Sequence, residues 1–276
     1  MRVSAAANGL NAGVANQTIR QTTSAPTLPP LLGERAGERA DVTSEGKIPP
    51  PDFLIWQLID SAFPTGGFAH SSGLEAAWQH GEVRGRTDLA GFIEASLELL
   101  GHAALPLVMA AFDTPDKLPE FDQLCDAFTT NHVANRASRA QGRALLTAVE
   151  RIFTERRLPA RQDAARGDQR AVPEAGAPMH FAPVFGACFR QLEISRDTTA
   201  RMFFFNHLRS IFASAVRLNI VGPMEAQALQ HRLSPTAAAI LVRCAGLTLD
   251  DLAQTAPLLD LWQGGQDRLY SRLFQS

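Results

Sequence analysis

DFLIWQLIDSAFPTGGFAHSSGLEAAWQHG, Asp52 to Gly81, joins two apolar helix-like runs through a breaker. Phe53, Leu54, Ile55, Trp56, Leu58 and Ile59 form the first run, and Pro64-Thr65-Gly66-Gly67 interrupts it. Pro64 has no backbone donor and biases Phe63 away from helical angles, while Gly66 and Gly67 accept angles that other residues avoid. A sharp turn is expected here. Ser72-Gly73-Leu74-Glu75 then fits a capping box, with Ser72 and Glu75 each satisfying an orphan donor at a helix start. The turn therefore sets a polar cluster of Ser61, Thr65, His70, Ser71, Ser72 and Glu75 between two apolar helices.

From Phe53 onward nearly every pattern is helical. Leu89, Phe92, Ile93, Leu97 and Leu100 recur at helical spacing after Thr87-Asp88 and stop at Gly101. Further helices are expected over Leu105 to Phe112, Leu118 to Thr130, Asn131 to Phe153 and His180 to Ile194. Asp197 or Thr198 caps a long core helix ending near Gly222, and Pro223 and Ser234-Pro235 each open another. Thr248 to Gln254 and Pro257 to Trp262 are the last short helices, and Gly264-Gly265 separates a tail, 266–276. No run alternates with period two, so the fold expected is all-α, a single helical domain of roughly eight to ten helices over 52–276. Residues 1–51 carry no sustained apolar period and are expected to be a disordered low-complexity extension. Residues 157–178 are charged and Pro- and Gly-bearing, which marks a surface loop.

Composition narrows the function. A net charge of -2 argues against a broadly basic nucleic-acid binder, so nucleic acid is not expected as a partner. The apolar segment Met202 to Val221 contains Asn206, His207, Arg209 and Arg217, which a lipid-spanning helix holds only at considerable cost, so no membrane role is expected. Three separated cysteines, Cys125, Cys188 and Cys244, fit a reducing cytoplasm. The N-terminus lacks the pattern of a secretory signal.

Several chemistries have no motif. Lys47 and Lys117 are the only lysines, and neither follows the glycines of a phosphate-binding loop. There is no His-Glu-x-x-His, Cys-x-x-Cys or Glu-x-x-His pattern, so no metal ligand and no catalytic residue is assigned. Ser71, Ser72, His70 and Glu75 invite a hydrolase reading, but the nucleophile elbow is absent and the same side chains serve capping. Arg136, Arg139 and Arg143 form a stripe along one helix, either a solvated face or a face that meets a partner.

DSAFPTGGFAHSSGLEAA, Asp60 to Ala77, resembles the signature of the UreF family of urease accessory proteins. Four further blocks agree in order: TTNHVANRASRAQGRALL (Thr129 to Leu146), HFAPVFGA (His180 to Ala187), LRSIFASAVRLNIVGPMEAQALQH (Leu208 to His231) and LYSRLFQS (Leu269 to Ser276). The resemblance implies a cytoplasmic, helical, non-enzymatic adaptor that forms a homodimer. It further implies a UreD/UreH-like accessory protein, a UreG-like GTPase and apo-urease as partners. No cofactor is bound permanently; nickel passes in transit, and GTP sits on the UreG-like partner. Pro64, Gly66, Gly67, Phe68, His70, Ser71, Gly73 and Glu75 match the signature, and with Arg217 they are the candidate partner-binding residues. The tail, through Tyr270, Arg272, Leu273 and Phe274, is expected to order against the UreD-like partner, since aromatics and Arg anchor interfaces. Two other readings remain: a small helical-bundle enzyme using the polar cluster near Glu75, or a helical interaction module with unrelated partners.

Overall fold

A computed structural model describes residues 51–153 and 179–276. The expected extension, apart from Pro51, and the expected loop at 157–178 lie outside the described residues. Helices dominate the described chain and no strand occurs in it. In order they are α1 (Pro51–Ile59), α2 (Leu74–Gln79), α3 (Arg86–Leu99), α4 (Leu105–Asp113), α5 (Leu118–Phe128), α6 (His132–Ile152), α7 (Phe181–Gln191), α8 (Arg196–Arg217), α9 (Pro223–Cys244) and α10 (Pro257–Gly265). The expected all-α domain is what the chain forms.

The core is built where α7 packs against α4 and α6. Nearly all of α7 is buried, from Ala182 to Phe189. Phe185 stacks on Phe189 at 3.8 Å between ring centroids and meets Phe203 of α8 edge-on at 5.2 Å. Gly186 permits this approach: a Cβ there would stand 2.0 Å from the Val108 carbonyl oxygen of α4. Helices α8 and α9 pack on one another beside this centre, joined by the short turn after Arg217.

Several boundaries differ from expectation. Gly101 does not end α3; a π turn over Leu100–Ala104 carries the chain straight into α4. The resulting helix, Arg86–Asp113, is long and apolar enough to cross a membrane by length and composition, but 56% of its most apolar window is buried inside the bundle. Leu89, Ile93, Leu97 and Val108 are fully enclosed, so it is a core helix here.

Ser234-Pro235 does not open a new helix. Pro235 lies inside the 22-residue α9, whose buried positions Leu229, Leu233, Ala237 and Ile240 continue on both sides of it. Tertiary burial on one face holds the helix through a residue that intrinsically breaks it. The long core helix is capped by Ser195 rather than Asp197 or Thr198, with Ser195 Oγ accepting from Thr198 N at 3.1 Å. Only a 3-10 turn, Leu249–Asp251, forms within Thr248 to Gln254. Gly264 and Gly265 finish α10 instead of detaching the tail, which runs on through a 3-10 turn at Gln266–Arg268.

Candidate functional site

The signature turn takes the shape its residues dictate. After α1, Thr65 N bonds to Phe63 O at 2.8 Å and Gly66 adopts φ 71°. A 3-10 turn over Gly67–Ala69 follows, and His70 is extended. Ser72 (φ 54°) and Gly73 (φ 85°) are both left-handed, so the chain reverses again before α2. At Gly73 the requirement is double, because a Cβ would also lie 3.0 Å from Gln263 N of α10.

The expected capping box does not form. Gly73 is the N-cap, and Glu75 N reaches Ser71 Oγ at 3.4 Å. The Glu75 carboxylate faces away from its own helix start and into the C-terminal tail. Its Oε1 accepts from Leu273 N at 2.6 Å, and its Oε2 accepts from Phe274 N at 3.1 Å and Gln266 Nε2 at 2.5 Å. The carboxylate is buried, with Glu75 only 2% exposed, and these three donors replace the water it loses.

The rest of the tail is tied down residue by residue. Gln275 N donates to Ala69 O at 2.8 Å, and Ser71 N donates to Ser276 O at 2.5 Å. Ser71 Oγ also donates to Ser276 O, and His70 Nδ1 lies 2.5 Å from Ser276 Oγ. Phe274 is buried beneath Arg217, whose guanidinium sits 4.2 Å from the ring centroid while Nη1 bonds the Phe68 carbonyl. Asp267 collects Arg136 through two bonds at 2.9 and 3.0 Å, Arg272 at 2.7 Å and His132 at 3.3 Å. The bond from Arg136, set against little burial, holds the Asp267 carboxyl below the usual range.

The thirteen sequence-derived residues thus divide into two groups. His70, Ser71, Gly73, Glu75 and Phe274 are buried where turn and tail meet. Pro64, Phe68, Arg217, Tyr270, Arg272 and Leu273 are exposed around them, with Gly66 and Gly67 half-buried in the turn. Phe68 at 75%, Tyr270 at 105% and Leu273 at 51% exposure are large apolar groups left facing solvent. Gln266, Asp267 and Ser276 were not singled out by sequence reasoning; their only sequence signal was membership of the tail. Arg136 was visible as part of a stripe, and among the described residues two of that stripe form ion pairs, Arg136 with Asp267 and Arg139 with Asp126.

Beside the turn lies a cavity of about 590 Å³, reached by Phe63, Gly67, His70, Ser96, Gln141 and His207. Burial holds the His207 imidazole down to about pKa 4, and its Nε2 lies 2.6 Å from Ser96 Oγ. Burial, and secondarily Arg136, also lowers His70. Both rings are therefore neutral at neutral pH. Among the described residues neither ring contacts a carboxylate, so neither Ser–His contact extends to a catalytic triad.

A second, partly buried network stands between α5, α6 and α7. Asp122 Oδ1 accepts from His180 N at 2.6 Å, and burial pushes its carboxyl up to about 6. Asp126 accepts from Asn135 Nδ2 at 2.9 Å, from His180 Nε2 at 3.1 Å and from Arg139, contacts that hold its carboxyl far below the usual range.

Comparison with known proteins places the chain in a family. The family model described as UreF matches residues 83–234. "Urease accessory protein F" of Oryza sativa subsp. indica is 38% identical over 221 residues, 79% of this chain and 83% of the rice protein. The protein of the same name from Arabidopsis thaliana is 37% identical over 242 residues, 87% of this chain and 98% of its own length. "Urease accessory protein UreF" of Xanthobacter autotrophicus is 28% identical over 251 residues, again 87% of this chain and 98% of its own.

Proposed function

Because the chain belongs to the UreF family of urease accessory proteins, whose place is in the maturation of urease, we propose that it acts there as an adaptor rather than as an enzyme. In this reading the chain, as a cytoplasmic homodimer, joins a UreD/UreH-like accessory protein and a UreG-like GTPase on apo-urease. Nickel is cargo delivered with GTP hydrolysis on the GTPase, and no cofactor resides permanently in this chain.

The observation that carries the reading is the clamp between the signature turn and the tail. Glu75 fixes the backbone of Leu273 and Phe274, and Arg217 bridges the Phe274 ring and the Phe68 carbonyl. Clamped this way, the two segments hold Phe68, Tyr270 and Leu273 outward on ordered backbone. Aromatic side chains presented without further ordering cost are favourable anchors for a protein partner. Glu75 is enclosed, so it influences a partner through the tail it positions. The same clamp disfavours a catalytic role for the polar cluster, because the Glu75 oxygens and Ser71 Oγ are already bonded to the chain itself.

Deletion of the gene, followed by a urease assay with nickel supplied, tests the adaptor. The expected result is loss of urease activity with urease subunits still present, restored by the gene on a plasmid. Undiminished activity in the deletion strain would contradict the reading.

A further inference from the structure

Apart from the clamp, where the π turn after α3 meets the end of α9, Glu98, His102 and Cys244 bring together one carboxylate oxygen, one imidazole nitrogen and one thiol sulfur, all within 4.8 Å of one another. We propose that this cluster is a binding site for a divalent transition-metal ion of the zinc class.

The donor set selects the ion. A carboxylate, an imidazole and a thiolate together match zinc and its borderline neighbours, whereas magnesium and calcium take oxygen ligands. The spacing fits as well. Cys244 Sγ lies 3.8 Å from His102 Nδ1, and Nδ1 lies 4.0 Å from Glu98 Oε2. Metal bonds of about 2.0–2.3 Å in tetrahedral arrangement put ligand atoms roughly 3.3–3.6 Å apart, so closing on an ion needs shifts that draw the histidine's two neighbours in by about 0.3–0.7 Å and the Glu98–Cys244 pair by about 1.2 Å at most. Those side chains have room to make them: Glu98 and His102 keep 35% and 30% of their side-chain surface, which also gives an ion its path in from solvent.

The local backbone is shaped around the cluster. Glu98 and His102 stand four apart, one turn of helix, and His102 is at the centre of the π turn Leu100–Ala104. Such turns are rare and occur often at functional sites. Gly101 beside it has a specific function: a Cβ there would lie 2.6 Å from Cys244 Sγ, so only glycine lets the thiol of α9 reach the histidine of the π turn. Arg243 bonds Glu98 Oε1 and so orients the carboxylate with Oε2 toward His102, the arrangement of an outer-sphere partner to a metal ligand. His102 Nδ1 lies 2.9 Å from the Glu98 carbonyl oxygen; ligation by Nδ1 turns the ring off that oxygen and leaves the proton on Nε2. The fourth position falls to water or to a group from another molecule.

Cobalt(II) titrated into the full, reduced chain is the test, because a thiolate bound to cobalt gives an intense near-ultraviolet charge-transfer band. Zinc is then measured by competition with a chromophoric chelator. One equivalent of cobalt with the band, displaced by zinc, is the expected result. Cys244→Ser is expected to abolish the band, and His102→Ala to weaken zinc binding about tenfold or more, as loss of a ligand or its support does. His102 is partly exposed, so its variant keeps the test open even if the buried Cys244 variant unfolds; circular dichroism and melting temperature check both. Absence of the band in the parent chain, or an unchanged band in Cys244→Ser, overturns the site. Neither result bears on urease maturation, which the gene deletion tests separately.

Discussion

Glu75 shows how a residue's role changes when its partners are known. In the sequence it stands three places after Ser72 and reads as a cap, but its carboxylate instead organises the C-terminal tail. Removing a buried acceptor that serves three donors leaves those donors without water or partner. Glu75→Ala is expected to cost about 3 kcal/mol, in the upper range for charged hydrogen bonds. Amide exchange at Leu273 and Phe274 should accelerate with it while α4 and α7 stay protected. Unchanged protection at those two amides would contradict the clamp. Acid behaviour is also set by single residues. His207 titrates near 4 in the fold and near 6.5 when unfolded, so the unfolded chain binds more protons between those values. Its contribution to stability is present above pH 6.5 and is lost as pH falls toward 4. Asp122, raised from 3.8 to about 6, acts in the opposite sense: the folded chain binds more protons, and stability declines as pH rises from about 4 to 6. Urea midpoints for Asp122→Asn, which keeps the acceptor for His180 N, should therefore lose the decline across that window. At pH 7.5 the variant, which escapes that decline, should therefore be more stable than the parent; a variant no more stable than the parent there would contradict the shift.

At the scale of elements, two tightly placed residues give opposite outcomes. Gly186→Ala forces α7 away from the Val108 carbonyl, and overpacking of this kind costs about 1–3 kcal/mol. Pro235→Ala restores a donor to the interior of α9 and removes a ring clash, so it should raise the melting temperature; proline costs about 3 kcal/mol relative to alanine in a helix interior. An unchanged or lower melting temperature for Pro235→Ala would mean the helix is already bent to accommodate proline. These two positions also show what was legible in the sequence. Helical periodicity located α6, α7 and the start of α8 closely, because amphipathic spacing is a local property of the chain, whereas α8 ends at Arg217 rather than near Gly222. Breakers were over-read: Gly101 and Gly264-Gly265 each looked like an end and Ser234-Pro235 like a start, and each lies within or at the last turn of a continuous helix. Propensity is worth only a few kcal/mol, and burial of both flanks outweighs it.

At the scale of the molecule, four of the five sequence blocks come together in a single structure. The first and last meet through Glu75 and Ser71, the fourth joins them through Arg217, and the second reaches the last through Arg136, which bonds Gln275 O. His70, Ser71, Glu75, Arg217 and Phe274 stand in the blocks, whereas Gln266 and Asp267 do not, and no pairing was visible, since contacts between positions so far apart along the chain leave no periodic trace. The metal cluster was invisible for the same reason: Cys244 stands far along the chain from Glu98 and His102. The pairing makes a sharper test of the adaptor possible, because Tyr270 and Leu273 are exposed and can be changed without entering the core. In a strain lacking this gene, the double variant Tyr270→Ala, Leu273→Asp should match the parent chain in melting temperature. It should nevertheless fail both to restore urease activity with nickel supplied and to co-purify with a UreD/UreH-like partner. Full restoration of activity with undiminished co-purification would contradict the docking surface on which the account rests.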